Sequence, residues 1–292
     1  MPPNRISVVI PTYGRRQELD EAVASLQKQT VPPCEIIIVD DGSPRPVVAP
    51  SSSNGVPVKL IRLDVNKGGA VARNAGIDAS TGDFIALLDS DDWWEPDRIA
   101  GLLPMLDEAA REEERILLFD NLRFARRKTA SSPLVLPPER SLGDAMIFGS
   151  IVVQTSSLVF HRRWRHILRF DEALRKHQDW DFVLSAQSHG FTLKNSATNA
   201  VVLRPGFFRV RVQNASSAAS SRHFLNKHSS TVSSIAAQRF SAENVEPYEY
   251  SGARRLLTVA TSFARRHIGL RAAIGIARGA LRDPKPAMPP SA

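Results

Sequence analysis

Short apolar runs alternate with segments of helical period from Ile6 to Leu106, and each run stops at a cluster of polar residues. Ile6-Ser7-Val8-Val9-Ile10 reads as a buried strand, ended by Pro11-Thr12-Tyr13-Gly14. Leu19, Ala22, Val23 and Leu26 then recur at i, i+3, i+4 and i+7, the spacing of an amphipathic helix. Glu35–Val39 predicts a second strand, closed by Asp40-Asp41-Gly42-Ser43, and the Pro- and Ser-rich stretch 44–55 reads as loop. Val58–Leu63 predicts a third strand, followed by Asn66-Lys67-Gly68-Gly69 and a helix through Ala79. Phe84–Leu88 is the fourth, an unbroken apolar run of the kind a parallel sheet buries on both faces. Asp89, Asp91 and Asp92 follow at its carboxyl end. Pro96 is placed to open a helix, with Ile99, Leu102, Leu103 and Leu106 behind it. Strands alternating with helices predict an α/β fold, a parallel sheet with helices on both faces.

Beyond Glu114 the rhythm loosens. Ile116–Phe124 and Val152–His161 each read as one strand, the second carrying Thr155, Ser156 and Ser157 in its middle. A helix is expected from His177 to about His189, a strand over Val201–Val210, and a flexible Ser/Ala loop over Ala215–Ser221. Helices are expected through most of 222–240 and 252–282. These elements divide the chain into a domain over 1–214, with halves at 1–110 and 111–214, and a helical, basic extension over 215–292.

Apolar residues make up 42% and charged residues 23% of the 292, ordinary values for a globular protein. The single cysteine, Cys34, excludes an internal disulfide, argues for a reducing compartment, and reads as a small buried apolar residue. The start of the chain does not resemble a signal peptide and no apolar run is long enough to span a bilayer, so a cytoplasmic location is expected. The net charge of +8 is uneven: seven arginines and no acid lie between Gly252 and Arg282. That segment mixes arginines with apolar residues, the composition of a helix lying on an anionic membrane surface. Packing against the protein's own sheet is the alternative. Nucleic acid is disfavoured as a partner, since the basic tail lacks interleaved aromatics for stacking.

Candidate chemistry gathers at the strand ends. In a parallel sheet the groups after all four strands share one edge, where open α/β folds bind ligands. Three adjacent acids repel one another and are best tolerated around a cation; oxygen ligands favour Mg²⁺ or Mn²⁺ over zinc. Helix capping and a solvated turn are the alternative, and account for one aspartate more readily than for three. Carboxylates, a Gly-rich turn and cations together suit a nucleotide diphosphate held through a metal. Neither Gly-x-Gly-x-x-Gly after the first strand nor a P-loop is present, which argues against a dinucleotide or ATP. Trp93 and Trp94 are candidates either for an acceptor wall or for core. His161, His166, His177 and His189 lack metal-ligand spacing and read as surface or packing residues.

Five segments in order carry a resemblance: Val8–Tyr13, Val39–Ser43, Asn66–Gly69, Ala72–Gly76 and Asp89–Pro96. Together they resemble the nucleotide-binding half of a family 2 glycosyltransferase of GT-A fold, an inverting enzyme. His177-Gln178-Asp179-Trp180-Asp181 is similar to that family's acidic motif in the second half. The resemblance implies a mixed, mainly parallel central sheet and a nucleotide-sugar donor, with a UDP-sugar favoured. It implies that Asp41 bonds the pyrimidine base, with Thr12 and Tyr13 lining that pocket. It places Asp89 and Ser90 in the donor site near the ribose, Asp91 (with Asp89) on Mn²⁺ or Mg²⁺, and Lys67 and Arg73 on the donor's polar surface. Asp179 would be the general base that deprotonates a hydroxyl acceptor, on a glycan or lipid-linked precursor. Asp181 is expected to cap the helix rather than act in catalysis. Gln178 stands where the family often has Glu, which leaves a second reading open, a nucleotide-sugar-binding protein without transfer activity.

Overall fold

The computed structural model describes residues 5–51, 54–125, 140–196, 198, 200–204 and 215–245. Four apolar runs form β1 (Ile6–Thr12), β2 (Glu35–Asp40), β3 (Val58–Arg62) and β4 (Phe84–Leu87), all parallel, with α1 (Arg16–Gln27) and α2 (Gly69–Ala79) between them. There follow β5 (Trp93–Trp94), α3 (Arg98–Arg111), β6 (Ile116–Phe119), β7 (Leu122–Phe124), α4 (Leu142–Ile147), β8 (Val159–His161), α5 (Gln178–Ser188), β9 (Thr192–Asn195), β10 (Val201–Leu203), α6 (Ala215–Lys227) and α7 (Ser234–Asn244). One mixed sheet runs β3-β2-β1-β4-β8-β6-β9, in which β8 is antiparallel to both its neighbours. A three-stranded sheet runs β5-β10-β7.

The topology makes the crevice. The chain steps outward from β1 through β2 to β3, then returns to the other side of β1 as β4. The order therefore reverses between β1 and β4, which opens a gap at their carboxyl ends. Every residue of β1 and β4 is buried, because both faces are covered. Leu19, Ala22, Val23 and Leu26 of α1 share one core with Ile99, Leu102 and Leu106 of α3 and with Trp94, Leu122 and Val201 of the small sheet. On the opposite face α2 sets Ala72 against Ile37 and Val39. It lies so close that a Cβ on Gly76 would stand 2.2 Å from a Val9 methyl. That approach carries Arg73 and Asn74, both buried, to the crevice edge.

A charged pair is sealed in this core. Arg98 is 0% and Asp120 1% exposed; the Arg98 Nε–H donates to Asp120 Oδ2 at 2.5 Å and an Nη–H donates to the Ser157 carbonyl at 2.9 Å. The guanidinium lies 3.8 Å from the Trp94 ring centroid. Burial pulls the Arg98 pKa down, opposed by the Asp120 charge. Removing one partner of such a pair costs about 3–5 kcal/mol, since the other charge stays buried.

Several local expectations are corrected. Ile116–Phe124 is two strands in different sheets, because Asp120 turns inward to Arg98 between them. Only Val159–His161 of the second long run is strand; Thr155–Ser157 form a buried 3₁₀ turn. The helix after Pro96 starts at Arg98, with Asp97 preceding it. Cys34 is half-buried rather than fully buried, and burial raises its pKa. Of the Val201–Val210 run only Val201–Leu203 is strand among the described residues, and 252–282 lies outside them.

By contact density the chain forms two units, the first Met1–Val135, Val152–Glu172 and Gln178–Arg209, the second Leu136–Ile151, Ala173–His177 and Val210–Ala292. Among the described residues, 140–151 and 173–177 thus group with 215–245. Within the second unit the expected flexible loop over Ala215–Ser221 is instead the first half of α6. Ala is a strong helix former. The Ser220 hydroxyl is used in tertiary structure, accepting the N–H groups of Arg175 (2.8 Å) and Lys176 (3.1 Å). His177 packs its ring at a tilt against Phe224 and Phe240, with centroids 5.5 and 4.7 Å away, and meets Ser221 Oγ at 3.0 Å.

Burial, with help from the Lys176 charge, pushes the His177 pKa down to about 3. A histidine whose folded pKa is depressed stabilises the fold above its unfolded pKa, and that contribution is lost as pH falls below about 6.5. Thermal melts at pH 7 and 5 should therefore show a loss on the order of 1–2 kcal/mol. His177→Asn should flatten that slope, while an unchanged slope would show that His177 does not carry it.

Candidate active site

Three carboxylates crowd the turn after β4. One oxygen from each of Asp89, Asp91 and Asp92 lies within 4.8 Å of the others. The turn is closed by the Asp92 N–H donating to the Asp89 carbonyl at 3.0 Å. Ser156, in the 3₁₀ turn, grips both ends. Its Oγ accepts the Asp89 N–H at 3.0 Å and donates to Asp92 Oδ2 at 2.5 Å. Its carbonyl accepts the Trp94 indole N–H at 3.1 Å.

Arginines from three separate elements oppose these acids. Arg15, just before α1, donates to Asp91 Oδ2 at 2.7 Å. Arg73 of α2 donates to Asp89 Oδ1 at 2.5 Å. Arg204, after β10, donates its backbone N–H to Asp92 Oδ1 and its Nε–H to the Asp91 carbonyl, both at 3.3 Å. Its guanidinium pairs with Glu21 and lies 5.4 Å from the Trp93 ring centroid. Even so, burial and then the charges of Asp89 and Asp91 push the Asp92 pKa up to about 8.

This donor set fits a hard divalent cation: all-oxygen, anionic and convergent. Asp91 is buried and Asp89 and Asp92 are half-buried, so a cation would meet oxygens already partly stripped of water.

The remaining predicted residues take different places on the same edge. Both oxygens of Asp41 accept backbone N–H groups, from Lys67 at 2.7 Å and Gly68 at 2.8 Å. Asp41 therefore pins the Gly-rich turn to the end of β2. The neighbouring Asp40 accepts N–H groups from Ser43 at 3.0 Å and Val47 at 3.2 Å, and pairs with Arg62. Burial would raise the Asp40 pKa, but these bonds outweigh it and hold the group below its usual value. Thr12 is 3% exposed, and its Oγ1 is buried without a hydrogen-bond partner. Tyr13 is 47% exposed, Ser90 is buried and Lys67 is exposed. Trp94 is 2% exposed and belongs to the core, whereas Trp93 is half-buried.

Asp179 sits on the first turn of α5, where its Oδ1 accepts the Trp180 N–H at 3.0 Å. The helix starts at Gln178, so neither Asp179 nor Asp181 is the residue preceding it, and the expected cap at Asp181 is corrected. Asp181 is instead 0% exposed within that turn, where an acid favours the helix dipole. Gln178 reaches back to the nucleotide half: its Oε1 accepts an Arg73 N–H at 2.7 Å. Arg73 thus bridges the acidic turn and the start of the helix that carries Asp179.

Sequence reasoning missed Arg15, Ser156 and Arg204. Each meets the acidic turn across more than 60 residues of chain, and no local pattern marks such partners.

Comparisons with known proteins agree with this geometry. The model of the family described as glycosyl transferase family 2 matches residues 7–113. The amylovoran biosynthesis glycosyltransferase AmsB of Erwinia amylovora is 30% identical over 194 residues, 63% of this chain and 64% of that protein. The uncharacterized glycosyltransferase YwdF of Bacillus subtilis is 32% identical over 186 residues, 62% of this chain and 68% of its own. Among solved structures, S. aureus TarS 1–349 in complex with UDP-GlcNAc aligns with a TM-score of 0.57 at 17% identity, over 82% of this chain and 71% of that one. A further structure of S. aureus TarS gives the same TM-score at 16% identity, over 92% of this chain and 50% of that one. The fold is accordingly of GT-A type, with a mixed, mainly parallel central sheet. With a relative matched at this identity over most of its length, and with the motifs of the nucleotide-binding half in place, the chain belongs to glycosyltransferase family 2.

Proposed function

We propose that the chain transfers a sugar from a nucleotide-diphosphate sugar to a hydroxyl acceptor with inversion at the anomeric carbon. The observation that carries this reading is the Arg73 bridge, which ties the acidic turn at Asp89 to the helix start beside Asp179. TarS crystallised with UDP and with UDP-GlcNAc favours a UDP-sugar as the donor. Relatives named for amylovoran and succinoglycan biosynthesis favour a polysaccharide or its lipid-linked precursor as the acceptor.

In this reading Thr12 and Tyr13 line the base pocket, and Thr12 Oγ1, buried and unpartnered, is free to bond the base. Asp41 acts on the base side and holds the Lys67–Gly68 turn against the donor. Asp89 and Ser90 lie at the ribose, with Lys67 and Arg73 along the donor's polar surface. Asp179 accepts the proton of the acceptor hydroxyl, whose own pKa is far above neutrality. The freed oxygen attacks the anomeric carbon opposite the diphosphate; the new glycosidic bond forms as the sugar–phosphate bond breaks, and the electron pair leaves with the nucleoside diphosphate. A Mn²⁺ or Mg²⁺ held by Asp91 and Asp89 would neutralise the charge growing on that diphosphate. The basic segment 252–282 is proposed to bring the enzyme to an anionic membrane surface; no described helix is long and apolar enough to cross one.

A screen of nucleotide sugars for thermal stabilisation, with and without Mn²⁺, identifies the donor. UDP-sugars should raise the melting temperature in the presence of the metal; stabilisation by none of them would reject the donor assignment. Asp91→Asn should fold normally and lose turnover, and chelation by EDTA should silence the wild type. Near-wild-type activity in either case removes the metal from the mechanism. Asp179→Asn should lower kcat by ~10²–10⁴ with donor binding nearly unchanged. Asp181→Ala should act on stability, by about 1–3 kcal/mol, because what pairs with this buried carboxylate is left unsatisfied. The reverse pattern would move the base two residues along. Full-length protein should pellet with anionic but not zwitterionic vesicles, and truncation at Ser251 should abolish this; equal pelleting of the truncated form refutes the membrane proposal.

A further inference from the structure

The residue before the proposed base is a glutamine, and the structure gives that glutamine a task. Arg73 is 6% exposed and spends its two terminal nitrogens in two directions: one on Asp89 Oδ1 at 2.5 Å, the other on Gln178 Oε1 at 2.7 Å. Its guanidinium also lies 5.1 Å from the Phe170 ring centroid, and Phe170 stacks on Phe182 of α5 at 4.6 Å. The planar fork is therefore held on three sides, and holding it fixes the first residue of α5.

A second observation shows that space is kept for this bridge. Gly69 opens α2, yet its φ lies outside the left-handed region, so backbone geometry does not demand glycine there. What demands it is crowding. A Cβ at position 69 would stand 2.8 Å from Arg73 Nη1 and 3.3 Å from Gln178 Oε1, the two atoms of the hydrogen bond.

We propose that Gln178 is a positioning residue: through its bond to Arg73 it sets the orientation of Asp179 relative to the donor site, and does so without adding a charge. The amide oxygen accepts the guanidinium N–H as a carboxylate would, so the geometry is kept. A glutamate at 178 would instead bring a further anion beside Asp179, Asp89 and the incoming diphosphate, where like charges repel. Gly69 is the steric counterpart of the same device. The inference rests on the transfer reading above, with Asp179 as base.

The test compares Gln178→Leu, Gln178→Glu, Gly69→Ala and the Gly69→Ala/Gln178→Leu double variant. Turnover is read as UDP release from a panel of UDP-sugars with Mn²⁺, and binding as calorimetric affinity for UDP with Mn²⁺. Gln178→Leu should lower kcat about 10- to 100-fold, the cost of a misplaced catalytic group, with UDP affinity within about threefold of wild type. Gln178→Glu should recover most of the lost kcat, and the acid limb of its pH profile should move to higher pH, because the added carboxylate raises the proton affinity of Asp179. Gly69→Ala should resemble Gln178→Leu, and the double variant should be no worse than either, as expected of two changes that break one contact. Undiminished kcat in Gln178→Leu overturns the proposal. So does a fall in kcat accompanied by matching losses of UDP affinity and melting temperature, or a Gln178→Glu no more active than Gln178→Leu. If the wild type releases no UDP and Asp179→Asn changes nothing, it is the transfer reading that fails. The bridge is then decided by ¹⁵N NMR of the Arg73 guanidinium: rotation hindered in the wild type and released in Gln178→Leu supports it, and identical spectra overturn it.

Discussion

Three carboxylates held within 4.8 Å of one another are the constraint on which the rest of the site depends. Unopposed, they would repel and loosen the turn after β4; even opposed, burial and the neighbouring charges raise the Asp92 pKa. The fold answers with partners drawn from distant parts of the chain. Arg15 comes from the start of α1, Arg73 from α2, Ser156 from a 3₁₀ turn and Arg204 from the end of β10. Three of these partners are also anchored elsewhere: Arg73 on Gln178, Arg204 on Glu21, and Ser156 through its carbonyl on the Trp94 indole. The acidic turn is thus a hub, and the elements that meet at it are those that build the crevice.

A second layer keeps the hub in place from beneath. The buried Arg98–Asp120 pair, capped by the Trp94 ring, joins α3 to the break between β6 and β7 and holds the Ser157 carbonyl. Ser157 neighbours Ser156, which grips Asp89 and Asp92. An apolar replacement of the pair would cost little or even add stability. Its contribution is geometric, since a guanidinium fork fixes direction in a way that aliphatic packing does not. Precision at the acidic turn therefore has its source in a charge sealed about one residue layer below.

The same logic explains why glycine and alanine dominate α2. Gly76 lets the helix approach β1, Ala72 fits against Ile37 and Val39, and Gly69 leaves room for the Arg73 bond to Gln178. Larger residues at these positions would hold the helix off the sheet and withdraw Arg73 from the crevice. Helix propensity, which glycine lowers by about 1 kcal/mol each time, yields here to the demand for close packing.

The sequence by itself determined the nucleotide half. Strands β1 to β4 fell within two residues of their predicted bounds and helices α1 and α2 cover their predicted periods, because both-faces-buried strands and one-face-buried helices leave distinct periods in the chain. The edge on which Asp41, Arg73, Asp89 and Asp91 meet followed from parallel topology alone. Tertiary structure decided what period cannot encode. Asp120 splits one apolar run into two strands because it turns inward to Arg98, 22 residues away. Thr155–Ser157 leave the strand pattern to satisfy the acidic turn, and Ala215–Ser221 becomes helix where Ser220 and Ser221 find partners at 175–177. Gln178 looked in sequence like a missing acid; only the fold shows it accepting the Arg73 guanidinium. Local pattern records which face of a segment is buried, whereas a hydrogen-bond partner a hundred residues away leaves no trace in it.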